Sequence, residues 1–252
     1  LTKVGGNLGV YANHALADLD LSTLSEVGGD LLFNNNDLSA LGLPALTNVG
    51  GLVKVRNHEA LESVNLSGLA STGGLLHIRD NDAMTSLYLS ALVSVGGDLL
   101  VENNPALAIL DLLTLESVVG PLELKSNDSL PAFKLPALTS IGGTLSISFN
   151  DALTSIEVPA LAETAEYGIT VWGHIALESF SFAALDSVGG DVYIHKNDVL
   201  PSLNLSMLTT VKGLVSVKEN DALTAFSLPV LSEVDQSIVV EANDALLSFE
   251  FP

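Results

Sequence analysis

Hydrophobic and polar positions along this chain fall into columns that repeat at a nearly constant interval. One apolar column reads Leu8, Leu31, Val53, Leu76, Leu99, Leu122, Leu145, Ile169, Val192, Val215, Ile238. A second lies two residues further on: Val10, Phe33, Val55, Ile78, Val101, Leu124, Ile147, Val171, Ile194, Val217, Val240. Period-two spacing with many β-branched residues predicts a short strand in each repeat, with alternate side chains inward. Strands that recur in this way predict a parallel sheet with about 4.8 Å between neighbours, and so a rod of roughly 50 Å.

A polar column keeps the same period: Asn13, Asn36, His58, Asn81, Asn104, Asn127, Asn150, His174, Asn197, Asn220, Asn243. Its steps are 23 residues, with one of 22 and one of 24. A fixed period of this size means stacked repeats. Asparagine at a bend can turn inward and satisfy backbone groups that leave the sheet, each worth about 1–3 kcal/mol if left unpaired. His58 and His174 are expected to do the same through ring nitrogens.

The repeat can be written L-x-x-L-x-x-V-G-G-x-L-x-V-x-x-N-D-A-L-x-x-L-x, with clean copies at 89–111 and 135–157. A second extended stretch is expected at Leu19–Leu21, Leu41–Leu43, Leu87–Leu89, Leu110–Leu112 and Phe249–Phe251. Paired glycines (Gly28-Gly29, Gly73-Gly74, Gly96-Gly97 and others) precede the first strand. They predict a corner that uses positive φ or close backbone approach. The expected fold is mainly β: a right-handed β-solenoid of about eleven rungs of about 23 residues around a buried Asn ladder. Residues 1–252 are expected to form a single repeat domain, alone or as part of a longer array.

Phrases such as Leu92-Val93-Ser94-Val95-Gly96-Gly97-Asp98-Leu99 and Leu138-Thr139-Ser140-Ile141-Gly142-Gly143-Thr144-Leu145 recur along the whole chain. The pattern resembles the leucine-rich repeat superfamily and, more closely, receptor L domains. Similar phrases occur in GPI-anchored fungal wall proteins and bacterial L-domain-like surface proteins. The resemblance implies a non-enzymatic protein that binds proteins or contributes to cell-surface structure. The cysteine-rich modules of receptors are absent, since the chain has no cysteine.

Charge narrows the partners. The chain of 252 residues carries a formal −21, which disfavours nucleic acid and anionic membrane surfaces. No apolar run is long enough for a membrane span, so direct insertion is not expected. Outward positions of the first strand hold five of the nine basic residues, Lys54, Arg56, Arg79, Lys125 and Lys218, against three acids, Glu102, Glu123 and Glu241. That face is near +2 and the rest of the chain near −23.

Two groups there are candidate binding residues. Lys54, Arg56, His77 and Arg79 share adjacent rungs and suit a carboxylate or sulfate. The alternative is cross-strand pairing, Arg79 with Glu102 and Lys125 with Glu102 and Glu123. Trp172, Tyr193 and His195 form the second group, suited to protein or sugar contact. Trp172 sits in an irregular rung, where Ala165-Glu166-Tyr167-Gly168 replaces Gly-Gly.

Acids after the ladder residue (Asp37, Glu59, Asp82, Asp128, Asp151, Asp198, Asp221, Asp244) suit turn chemistry or a helix start. Calcium could also bridge neighbouring rungs there. No other cofactor is expected. Sequons stand at Asn65, Asn204 and Asn127, the last in the ladder and expected to be blocked.

Catalytic motifs are lacking. The expectation is an extracellular or cell-surface recognition or adhesion module that binds protein or glycan on its sheet face. A structural protein assembling end-to-end through uncapped solenoid ends is the alternative. Ice binding and polysaccharide cleavage fit less well.

Overall fold

The computed structural model describes residues 1–252 and contains strands and turns without helix. Each full rung supplies three short strands to three separate faces. The four-residue strands of the first columns, such as Leu76–Arg79 and Leu99–Glu102, join one continuous sheet of eleven parallel strands. Register advances by one repeat per rung, so Leu76 faces Leu99 and Ile78 faces Val101. This broad sheet carries every candidate binding residue.

The second face is built from three-residue strands such as Ser86–Tyr88 and Ile109–Asp111, grouped in sheets of four, three and three strands. These are the expected second stretches displaced by one residue. Leu87 and Leu110 are central in their strands instead of leading them. In the first rung, Leu19–Leu21 forms no strand.

A third face was not anticipated. It consists of two-residue strands such as Ser94–Val95 and Ser117–Val118, in sheets of seven and four. Each buries one residue, as Val95 and Val118 do, and two residues are too short to show any periodicity. Three faces enclose one contiguous core, in which the leucine and valine columns are buried from Leu21 to Leu231.

The paired glycines do only half of what was expected. None has positive φ. They are needed for close approach: a Cβ added to Gly28 would lie 2.5 Å from the carbonyl oxygen of Gly5, and one added to Gly96 would lie 2.5 Å from that of Gly73. The positive φ sits elsewhere. In every rung the residue just before the ladder position is left-handed, at φ between 51° and 74°: Ala12, Asn35, Asn57, Asp80, Asn103, Ser126, Phe149, Gly173, Lys196, Glu219 and Ala242. This kink carries the chain out of the broad sheet and turns the next side chain into the core. Only one of the eleven is glycine, and none is Val, Ile or Thr, whose branched Cβ fits this region worst.

The ladder itself is as expected. Asn104 is fully buried. Its Nδ2 donates to the carbonyls of Ile78 (3.2 Å) and Glu102 (2.9 Å) and to Oδ1 of Asn127 (3.2 Å). Its own Oδ1 accepts Nδ2 of Asn81 at 3.1 Å and the Asn81 N–H at 3.3 Å. His58 and His174 are buried in the same column. Nδ1 of His174 accepts the Asn150 N–H at 3.3 Å, and Nε2 lies 3.1 Å from the Ile147 carbonyl. A proton on Nε2 serves the Ile147 carbonyl and leaves Nδ1 to accept from Asn150, while Nδ1 also lies 3.2 Å from the Asn150 carbonyl.

One junction departs from the pattern. Beyond His174 the strands Ile169–His174 and Val192–Asn197 run to six residues and pair as far as His174 with Asn197. Oδ1 of Asn197 then has no hydrogen-bond partner. The longer pairing belongs to the irregular rung with its extra residue.

Candidate recognition face

The broad sheet presents its alternate residues outward, so candidate residues from different rungs share one surface. Lys54 lies beside His77 and Arg56 beside Arg79 in register. Next along, His77 faces Leu100 and Arg79 faces Glu102. All four candidate residues of this group, three of them permanently cationic, are therefore brought together, partly exposed, on two adjacent strands.

The cross-strand pairing expected to neutralise them does not form. Glu102 is in register with Arg79, yet its carboxylate bonds Nε2 of His77 at 3.1 Å. Arg79 turns instead to Asp80, with Nε 3.3 Å from Oδ2. The contact does not have hydrogen-bond geometry, and Nε has no other partner. Lys125 makes no ion pair with Glu102 or Glu123. Lysines elsewhere do find carboxylates: Lys3 with Glu26, Lys134 with Glu157, Lys196 with Glu219, Lys212 with Glu233, and Lys218 with Glu241. Lys54 and Arg56 have none.

Burial holds His77 below its ordinary pKa, against the opposing pull of Glu102. At neutral pH it therefore donates to Glu102 as an uncharged ring. Glu123 is raised by burial and then by the neighbouring Glu102 charge.

The aromatic group is larger than the sequence suggested. Trp172 is 38% exposed. Its ring centroid is 5.6 Å from that of His195, which is 5.4 Å from that of Tyr193. Both contacts are edge-on, the favoured arrangement. Phe149 extends the row, 6.1 Å from Trp172 and 45% exposed. It precedes a ladder residue and so lies outside the alternating columns, which is why pattern reading missed it. Tyr193 donates its hydroxyl to Asp191 at 3.0 Å, which raises its pKa. His195 bonds the Ser216 hydroxyl at 2.8 Å, and burial and then Lys218 lower its pKa. Around these rings the face is lined by the small hydroxyls of Ser146, Ser148 and Thr170.

Six of the eight acids after the ladder positions stand in turns, Glu59 stands in a bend and Asp37 in irregular chain, with no helix start among them. No group of three or more histidines and carboxylates converges to hold a metal ion. Asp128 is raised by burial and then by Asp151 one rung on. Of the sequons, Asn127 is fully buried, whereas Asn65 is partly exposed and Asn204 exposed. No helix is long and apolar enough to cross a membrane.

Comparison of the chain with protein-family models, with curated proteins and with solved structures gives no match.

Proposed function

We propose that this chain is a non-enzymatic recognition or adhesion module of the extracellular space or cell surface, binding a protein or glycan partner across the broad sheet. The observation that carries this reading is the composition of that sheet. It holds unpaired cations and a row of exposed aromatics in a chain of net charge −21. Aromatic and arginine side chains supply most of the energy of typical recognition surfaces. Acidity over the rest of the chain suits a soluble or surface-displayed protein and disfavours nucleic acid. The likeness of the Val-Gly-Gly and Asn-Asp-Ala-Leu phrases to receptor L domains points the same way.

The test is binding of the labelled chain to intact cells and to a glycan array. Two variants are compared with the parent: Trp172→Ala with Tyr193→Ala, and Lys54→Ala with Arg56→Ala and Arg79→Ala. Loss of binding in at least one variant is expected, by tenfold or more where a central anchor is removed (about 1.4 kcal/mol). Unchanged binding in both variants, each shown to be folded, would remove the broad sheet from consideration.

A further inference from the structure

Between the first and third rungs, the broad sheet carries a hollow of about 260 Å³. Its floor is Leu32, and one wall is the half-exposed Tyr11. The Tyr11 ring folds back over Gly9, so close that a Cβ there would lie 2.5 Å from the ring. Glycine at this point lets the ring lie flat along the sheet. Lys54 and Arg56 form the opposite wall, and Asn34 and Asp30 stand at the rim.

Two features set this hollow apart. Lys54 and Arg56 lack any carboxylate partner, although the chain has 30 acids. Arg56 also sits directly in register with Arg79, and like charges placed opposite one another destabilise a sheet. Asp80 offsets the charge of Arg79 alone, at 3.3 Å, so Lys54 and Arg56 are left for a charge that arrives from outside. The rim offers both donors and acceptors. Asn34 accepts the Nδ2 of Asn57 at 2.9 Å through Oδ1, and its own Nδ2 is free to donate. Asp30 accepts the Leu52 N–H at 3.0 Å through Oδ1, and its Oδ2 receives only a long 3.5 Å contact from Asn7.

We propose that this hollow binds an acidic sugar residue, with its carboxylate or sulfate ester paired by Lys54 and Arg56 and its ring laid against Tyr11 and Leu32. The inference rests on the broad sheet being a recognition face and names what this part of it takes. A single ring suits the volume. The mixed rim suits hydroxyl groups, and the aromatic wall suits the apolar face of a pyranose. An extended peptide is less well served, because Leu31–Asn34 and Val53–Arg56 beneath the hollow are paired on both sides, and the one free edge, that of Leu8–Tyr11, lies on the side away from them, so strand addition would not fill the hollow.

The experiment is calorimetric titration of the whole chain with four probes: a hexuronate oligosaccharide, a sulfated oligosaccharide, an uncharged oligosaccharide of equal length, and a glutamate-rich peptide. Binding of one or both acidic sugars is expected, weaker at high salt, with no binding of the uncharged sugar. Which acidic sugar binds distinguishes carboxylate from sulfate. Lys54→Ala with Arg56→Ala should reduce affinity by about tenfold or more, and Tyr11→Ala should reduce it severalfold. Lys134→Ala, on another face, should leave it unchanged. Binding of the peptide as tightly as the sugars, indifference to Tyr11→Ala, or no binding of either acidic sugar would overturn the proposal. Glycan-array binding that survives loss of Lys54 and Arg56 but disappears with Trp172→Ala would also overturn it, while leaving the broad sheet as the recognition face.

Discussion

Phe149 adopts a left-handed backbone at φ 53°, and its ring occupies the space that a side chain on Gly173 would need. A Cβ on Gly173 would lie 2.8 Å from Cδ1 of Phe149. The two residues hold equivalent positions in successive rungs, so glycine in one permits an exposed aromatic in the other. Gly173 itself sits at φ 74°. Gly173→Ala therefore meets two penalties, the left-handed backbone at about 1–2 kcal/mol and displacement of the Phe149 ring. Urea unfolding should show a loss of about that size or more. Trp172 fluorescence in the folded variant should shift as Phe149 moves away. A variant as stable as the parent, with identical emission, would show that the two rings are not packed as described.

The ladder predicts a graded response to amide removal. Asn104→Ala takes the acceptor from the buried N–H and Nδ2 of Asn81 and removes the bonds to Ile78, Glu102 and Asn127. An unpaired buried group costs about 1–3 kcal/mol, so the loss should be on the order of 2–4 kcal/mol. Asn13 is exposed and bonds outward only to Tyr11 and Asn36, so Asn13→Ala should cost well under half as much. Equal losses at the two positions, measured by chemical denaturation, would contradict a load concentrated in the central rungs.

How much of this was legible follows from what each residue has to do. The leucine, valine and asparagine columns repeat because each rung buries the same atoms, so sheet, core and ladder could all be read from spacing. Left-handed positions were not read, because the requirement falls on backbone and several side chains satisfy it. The faint signal was a column with Asn or Asp in four rungs and no β-branched residue. The face residues were placed correctly, since outward alternation follows from the strands. Their pairing was not, because Glu102 has Arg79 and Lys125 directly in register, and sequence gives no rule for choosing the diagonal His77 over either.

Close stacking at the glycine corner gives a third expectation. Gly96→Ala places a methyl group 2.5 Å from the carbonyl oxygen of Gly73, and backbone cannot move aside as a side chain would. Overpacking of this kind costs about 1–3 kcal/mol. Gly5→Ala meets nothing within contact range and should be nearly neutral. Thermal unfolding of the two variants separates steric need from conformational freedom. If both were destabilised alike, the explanation by close approach would fail.

Acid should weaken the fold through its histidines, and the sign follows from the ladder chemistry. Burial lowers the pKa of His174, and the ring's contacts with the carbonyls of Asn150 and Ile147 and the charge of Asp151 oppose this only in part. His77 and His195 are likewise lowered, first by burial. A lowered folded-state pKa means that the unfolded chain takes up protons first. Stability is then full above the unfolded value of about 6.5 and declines as pH falls from there through the folded-state values. His174 adds a geometric reason: once protonated, Nδ1 can no longer accept the Asn150 N–H. Glu123 and Asp128 act in the opposite sense in a more acidic window, since their raised pKa values make protonation favour the folded state. Urea midpoints measured downward from pH 8 should fall below about pH 6.5. In His174→Asn, which keeps a ladder amide and removes the titrating ring, the fall should be shallower. An identical pH profile in that variant would mean that the buried imidazole is not responsible.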